Sequence, residues 1–168
     1  RAKVIGYDPS KTKEELAKRG IQKYDDLKEM LKECDFISLH TVLNKETKHL
    51  IGAKEFAVMK ENAIIINSAR GALIDELALL DALEKKQIAG AGLDVYSKEP
   101  LNKTDHPMKK LYDMDNVILL PHLTFYTHEA MYRLEVETID RIMEVMENRP
   151  VTIKSKDPRL QNQPQVKL

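Results

Sequence analysis

The chain has 168 residues, of which 42% are hydrophobic and 32% charged, a composition typical of one globular domain of ordinary size. Its 27 basic residues balance its 27 acidic residues, so no excess charge favours nucleic acid or an anionic membrane as a partner, and no apolar run approaches the ~20 residues of a membrane-spanning helix. The single cysteine, Cys34, excludes a disulfide within the chain and predicts a reducing compartment, the cytoplasm.

The first part of the chain predicts a strand, two polar helices, a second strand and then short helical pieces. The first strand is apolar and ends at Asp8-Pro9, a dipeptide typical of turns. The predicted bounds are 3–7 for the first strand, 12–19 and 24–33 for the helices, 35–40 for the second strand, and 47–59 for the short helical pieces.

The remaining part of the chain predicts three more strands and two more helices. The run "AIIIN" has the length and the β-branched residues of a buried strand. The helix after it has Asp75 in its first turn and places Leu77, Leu80 and Leu83 on one face. The predicted bounds are 63–67, 88–96 and 116–121 for the strands, and 75–86 and 127–148 for the helices.

This order of elements predicts an α/β fold with a doubly wound parallel sheet, in which helices cover both faces. We expect residues 1–150 to form this domain. Residues 151–168 are polar and contain two prolines, so we expect a C-terminal tail that packs on another domain.

Polar side chains collect where the predicted strands end. They are Asp8, His40, Thr41, Ser68, Arg70, Asp94, Glu99 and His122. Each alone has an ordinary explanation, because an arginine after a strand is most often a surface ion-pair partner and a histidine after proline is most often a loop residue. Their joint occurrence at the carboxyl edge of one sheet, where ligands bind in open α/β folds, indicates a functional site.

Three motifs occur in a fixed order along the chain: N-x-A-R-G in "INSARGALIDE", G-L-D-V-x-x-x-E-P in "AGAGLDVYSKEP", and P-H in "VILLPHLTFYT". Together they resemble the signature of the NAD-dependent D-isomer-specific 2-hydroxyacid dehydrogenases. The resemblance extends from "VIGYDPS" to the last helix, and "HLTFYT" is similar to the D-lactate dehydrogenase-like members. It implies a Rossmann-like nucleotide-binding domain, NAD as cofactor, and a small 2-keto or 2-hydroxy acid as substrate.

The resemblance also implies a catalytic set. Arg70 matches the arginine that binds the substrate carboxylate, for which a planar guanidinium is suited. We expect Gly71 to let the chain turn away, so that the guanidinium stays accessible. His122 matches the acid–base histidine and Glu99 its partner, since a carboxylate favours the protonated imidazole and determines which nitrogen carries the proton.

On the cofactor side, the resemblance places Asp8 at the adenosine ribose, where a carboxylate favours NAD over NADP. Asp94 matches the residue that contacts the nicotinamide amide. The other matched positions are Ser68 and Ala69, near the ring, and Thr41, Val42 and Thr47, in the loop beneath the cofactor. Proline is common in the family at the position of Val42, and this departure is expected to change the stiffness of the loop more than its chemistry.

The glycine-rich fingerprint G-x-G-x-x-G does not occur in the chain. In the family that loop lies upstream of the strand "VIGYD", so we expect the chain to be a fragment that lacks the first strand and the phosphate-binding loop. His49, His106 and His128 have no partners at metal-ligand spacing, so no metal is expected. Relatives are commonly homodimers, and the resemblance implies the same here.

Two functions fit this signature. The first is an enzyme that reduces a 2-keto acid to a D-2-hydroxy acid with NADH. The second is an NAD-sensing binding protein similar to the corepressors that resemble this family, which keep the same arginine, glutamate and histidine. A formate dehydrogenase is disfavoured because that branch has glutamine at the position of Glu99.

Overall fold

The computed structural model describes residues 2–152, and within them the chain divides between Leu123 and Thr124 into two compact units. The elements are β1 (Ile5–Tyr7), α1 (Lys13–Ala17), β2 (Gln22–Tyr24), α2 (Leu27–Leu31), β3 (Phe36–Leu39), α3 (Ala53–Phe56), β4 (Ile64–Asn67), α4 (Glu76–Glu84), β5 (Gly90–Leu93), β6 (Val117–Leu119) and α5 (His128–Met146). Short 3₁₀ turns span Gly71–Leu73 and Lys109–Asp113. The predicted α/β class is confirmed, while the predicted tail lies, from residue 153 onward, outside the described residues.

The strands of the first unit pair in parallel throughout. Strands β3, β4, β5 and β6 form one sheet in that order, and β1 pairs with β2 in a second, two-stranded sheet. In the larger sheet Ile65 lies between Ile37 and Ala91, and all three side chains are buried. Burial accounts for Ile65 but not for Ile66, which is 38% exposed on the other face of the sheet, as is Ile118 at 68%.

Strand β2 was not predicted, and the helix predicted over 24–33 is shorter than expected. Lys23 is the register partner of Gly6, so this polar three-residue strand exists because β1 pairs with it. The helix α2 begins after Asp26, whose side chain accepts a hydrogen bond from the Glu29 amide. A strand this short and polar lacks the alternation of apolar and polar residues from which a strand is predicted.

Helix α4 begins where predicted, and of the three leucines predicted to share one face, Leu83 is buried, Leu80 is half-buried and Leu77 is exposed. The Asp75 side chain accepts hydrogen bonds from the amides of Leu77 and Ala78, which caps the helix. Leu77 is 67% exposed, whereas Leu79, Ala82 and Leu83 are buried. The prediction for Leu77 is therefore wrong. The face that packs on the core carries Leu79, Ala82 and Leu83, and Leu77 lies outside it.

The second unit contains the long helix α5 within the described residues. It begins after Thr127, whose hydroxyl accepts a hydrogen bond from the Ala130 amide. Near its end, the buried Glu144 accepts hydrogen bonds from both the amide and the hydroxyl of Thr152. These bonds hold the pKa of Glu144 below its usual range and tie the chain after the helix back to it.

Candidate active site

The register of the larger sheet brings the predicted site residues to one edge. Leu39 pairs with Asn67, and Leu93 pairs with both Asn67 and Leu119. The residues that follow these positions therefore leave the sheet side by side. They include Thr41, Ser68, Arg70, Asp94 and His122.

Asn67 builds the turn that presents Arg70. The asparagine side chain is 1% exposed; its Nδ2 donates to the carbonyl of Arg70 at 2.9 Å and its Oδ1 accepts from the amide of Ala69 at 3.1 Å. The exposed guanidinium of Arg70 donates one bond, from Nη1 to the carbonyl of Ala69 at 2.6 Å. Because a guanidinium has about five N–H donors in all, this bond leaves most of its capacity for a ligand.

Gly71 is required for a reason other than the one expected. Its backbone is not in the left-handed region, and a Cβ atom there would lie 2.0 Å from the carbonyl carbon of Tyr96 and 2.3 Å from the amide nitrogen of Ser97. Only glycine allows these two backbone segments to approach so closely. This approach places the turn with Arg70 against the loop that carries Glu99.

Glu99 and His122 form a direct pair. Nδ1 of His122 lies 2.9 Å from Oε2 of Glu99, and the other carboxylate oxygen accepts from the amide of Tyr96 at 3.0 Å. The hydrogen bond from His122, followed by that from Tyr96, lowers the pKa of Glu99 from its ordinary value. An ionised carboxylate only accepts, so Nδ1 carries the proton and Nε2 is the nitrogen left for a ligand.

The backbone of His122 is held in an unusual conformation. Its φ angle is 59°, in the left-handed region that costs a residue with a Cβ atom about 1 kcal/mol or more. The amide of the next residue, Leu123, donates to Oδ1 of Asp94 at 2.8 Å. Asp94 is 3% exposed, so a buried carboxylate fixes the segment that presents the histidine.

Two further residues support the loop of Glu99: Glu76, which no motif in the sequence marked, and His106, which was considered from the sequence only as a metal ligand. Oε1 of Glu76 accepts from the amide of Ser97 at 2.6 Å. The buried His106 bonds through Nε2 to the carbonyl of Lys98, while its Nδ1 accepts from the amide of Met108. No local pattern reveals these roles, because Glu76 lies 21 residues from Ser97 in the chain and His106 lies 8 residues from Lys98.

Arg70, Glu99 and His122 line one cleft of about 410 Å³ in the first unit. A cleft of this size accommodates a small organic molecule beside a cofactor ring. Its other lining residues are Leu43, Gly71, Ala72, Val95, Tyr96 and Ser97. The arrangement offers a fixed cation for a carboxylate and, within the same space, an imidazole that exchanges a proton.

A sequence profile of the family described as D-isomer specific 2-hydroxyacid dehydrogenase, NAD binding domain, matches residues 1–124. The chain belongs to this family. The resemblance found in the sequence, its Rossmann-like fold and its NAD cofactor are thereby confirmed for the family domain.

Curated relatives of this dehydrogenase domain act on different acids, as their names state. Glyoxylate reductase of Thermococcus litoralis is 47% identical over 128 residues, which are 76% of this chain and 37% of that protein. Hydroxypyruvate reductase of Thermotoga maritima is 41% identical over 140 residues, 83% of this chain and 44% of the relative. D-3-phosphoglycerate dehydrogenase of Methanocaldococcus jannaschii is 43% identical over 143 residues, which are 85% of this chain and 26% of that protein.

Solved structures show the same family relationship. D-lactate dehydrogenase with NAD+ from Lactobacillus jensenii superposes with a TM-score of 0.80 at 36% identity, covering 90% of this chain and 48% of that one. The chain thus spans less than half the length of each of these relatives.

One residue that is predicted to hold NAD, Asp8, lies apart from the cleft. Asp8 follows β1 and lines a second cavity of about 290 Å³, which shares no lining residue with the first. Both hydrogen bonds from Ser10, one from its hydroxyl and one from its amide, go to Oδ1 of Asp8 and lower the pKa of this carboxyl. An ionised carboxylate whose two bonds use one oxygen fits the role of a ribose-hydroxyl acceptor.

The loop after β3 is organised by Thr47. Its hydroxyl donates to the carbonyl of Val42 at 2.6 Å and accepts from the amide of Asn44 at 2.8 Å. The side chain of Val42 is 77% exposed, as is compatible with a loop that contacts a ligand by its backbone. Thr41 and Ala69 are half-buried and Ser68 is exposed at neighbouring strand ends.

Other kinds of site find no support among residues 2–152. In that range no three side chains of the metal-binding types come together as a possible metal site. None of the helices there combines the length and the apolar character needed to cross a membrane.

Proposed function

We propose that the whole protein is an NAD-dependent D-2-hydroxyacid dehydrogenase, which interconverts a 2-keto acid and a D-2-hydroxy acid. The observation that supports this most strongly is the shared cleft, which combines Arg70 with the hydrogen-bonded pair of His122 and Glu99. The family shows the type of domain, and these three side chains supply the chemistry that the reaction requires of a protein.

Each residue of this set has one task. Arg70 binds the substrate carboxylate and so orients the neighbouring carbonyl carbon. His122 donates a proton from Nε2 to the carbonyl oxygen during reduction, and it accepts the hydroxyl proton during oxidation. Glu99 holds the ring by Nδ1 and stabilises the imidazolium. Bound NADH supplies the hydride.

We assign the cofactor contacts to the strand ends. Asp8 accepts from the adenosine ribose and disfavours a 2′-phosphate by charge repulsion. Asp94 lies beside the segment of His122 and is assigned to the nicotinamide amide. The remaining assigned positions are Thr41, Val42, Thr47, Ser68 and Ala69.

The substrate class follows from the relatives, whose names specify glyoxylate, hydroxypyruvate and phosphoglycerate as acids. We propose a small 2-keto acid as the substrate of this protein. The test is the initial rate of the whole protein with NADH and a series of 2-keto acids from glyoxylate and hydroxypyruvate to larger side chains. His122→Asn should abolish the rate, and His128→Asn, which changes an exposed histidine at the start of α5, should not.

One result would reject the proposal that the protein is an enzyme. NADH that binds, as followed by its fluorescence, without turnover of any acid in the series would favour the NAD-sensing binding protein.

We also propose that the protein is cytoplasmic and that two copies associate. The support for the compartment is the buried free thiol of Cys34, the single cysteine. The support for association is a row of exposed apolar side chains on α5, spaced three or four residues apart. They are Tyr132, Val136, Ile139, Met143 and Met146.

A further inference from the structure

Tyr96 contacts the backbone segments that hold both members of the acid–base pair. The residue is buried, with its hydroxyl 3.0 Å from the carbonyl oxygen of Leu120 and 3.2 Å from that of Leu93. Its backbone amide donates to Oε1 of Glu99 at 3.0 Å. One residue therefore contacts the end of β5, the end of β6 and the carboxylate.

The segment from Leu120 to Leu123 is held at its two ends. The carbonyl of Leu120 accepts from the hydroxyl of Tyr96, and the amide of Leu123 donates to Asp94. Between these bonds lie Pro121, which has no N–H to donate, and His122 with its left-handed backbone. That conformation costs free energy, and these two bonds oppose its relaxation together with the bond from the Leu120 amide to the Leu93 carbonyl at 2.8 Å.

The carboxylate is oriented by the same residue. The amide of Tyr96 occupies Oε1 of Glu99, and Oε2 is the oxygen that faces Nδ1 of His122. A carboxylate fixed at one oxygen presents the other in a defined direction, which a freely rotating glutamate does not.

Building on the proposed function, we propose that Tyr96 is a positioning residue for proton transfer. Its hydroxyl fixes the chain on the histidine side and its amide fixes the glutamate, so that Tyr96 determines the geometry of the pair of His122 and Glu99. It acts through these two residues and needs no contact of its own with the substrate.

The conservative variant Tyr96→Phe isolates the hydroxyl. The ring and its edge-on contact with His106, with centroids 6.4 Å apart, are retained. Burial raises the pKa of Tyr96 to about 12, so the hydroxyl stays protonated through the pH range of an assay. The change removes one donor and leaves the charge of the site as it was.

In the whole protein, Tyr96→Phe should lower kcat for reduction by about tenfold while KM for NADH stays the same, because the proton donor is misplaced and the cofactor is not. The alkaline limb of the reduction profile should move to lower pH, as it should in Glu99→Gln. The double variant that combines Tyr96→Phe with Glu99→Gln should show no larger shift of this limb than Glu99→Gln alone, because both changes disrupt the same pair. Tyr112→Phe is the matched control, because its hydroxyl donates to the carbonyl of Leu101 outside the cleft.

A Tyr96→Phe enzyme with the wild-type kcat and pH profile would overturn the inference, as would a double variant in which the two movements add. A second measurement separates this inference from the proposed function. If the wild type reduces no 2-keto acid, the His122 Nδ1–H resonance in the NMR spectrum still reports the pair. Tyr96→Phe should shift that resonance and Tyr112→Phe should not; an unshifted signal rejects the role of Tyr96.

Discussion

Oε2 of Glu99 accepts a hydrogen bond from Nδ1 of His122 at 2.9 Å, although 23 residues separate them in the chain. This bond is the largest cause of the lowered pKa of Glu99, so the carboxylate stays ionised to a lower pH than an ordinary glutamate does. The pair therefore joins an ionised carboxylate to the N–H of the imidazole.

Glu99→Gln should therefore change the pH dependence of catalysis in one direction. Without the negative charge His122 gives up its proton more readily, so the alkaline limb of the reduction profile should move to lower pH while activity in acid persists. The acid limb of the oxidation profile, which needs neutral histidine, should move the same way. Measuring kcat/KM against pH in both directions tests this, and limbs that do not move would leave His122 without its proposed partner.

Arg70→Lys keeps the positive charge and loses the planar pair of donors. We expect kcat/KM for the keto acid to fall by an amount equivalent to about 2–4 kcal/mol, with little change in the affinity for NADH. Arg149→Lys is the control, because Arg149 forms an exposed ion pair with Glu147. Equal activity of the Arg70 variant and the wild type would show that Arg70 has a structural role only.

Asp8→Asn tests the choice of cofactor. The amide oxygen still accepts from Ser10, so the turn after β1 is kept, and only the charge is lost. The preference for NADH over NADPH in kcat/KM should narrow by about tenfold, the effect of one screened charge near a 2′-phosphate. Asp35→Asn, at an exposed carboxylate paired with Lys60, should leave the ratio unchanged. A wild type that uses both cofactors equally contradicts the assignment.

Gly71→Ala should destabilise the protein. The added Cβ would lie 2.0 Å from the carbonyl carbon of Tyr96, so a backbone segment must move, at a cost of about 1–3 kcal/mol or more. Gly92→Ala is the matched control, since its nearest new contact is a side-chain atom of Ile66 at 3.8 Å. Urea unfolding measures both, and similar free energies of unfolding for the two variants would refute the close approach.

Ile139→Asp tests association through α5. A charge within the exposed apolar row should shift the whole protein from dimer to monomer at micromolar concentration, as measured by light scattering. Arg133→Asp places an aspartate on the same helix outside that row and should leave the dimer intact. A monomeric wild type would reject the proposal at once.

Much of the fold was predictable because its signals are local. The isoleucine run before Asn67 identifies a strand, and Asp75 marks the start of α4, because each signal depends on neighbouring residues only. Strand β2 and the exposure of Leu77 were not predictable, since the first depends on pairing with β1 and the second on which face of α4 meets the core.

The sequence by itself determined the type of residue at each strand end and, through three motifs, the family. Arg70, Glu99 and His122 could be named as candidates because the motifs that carry the resemblance to the family are a property of the chain. Their meeting in one cleft was decided by the parallel register of β4, β5 and β6, which aligns strand ends that are far apart in the chain. The contacts of Gly71 with the backbone at Tyr96, and of Tyr96 with Leu120, likewise exist only in the folded protein, because hydrogen bonds and steric exclusion act between atoms that the chain brings within a few ångströms by folding.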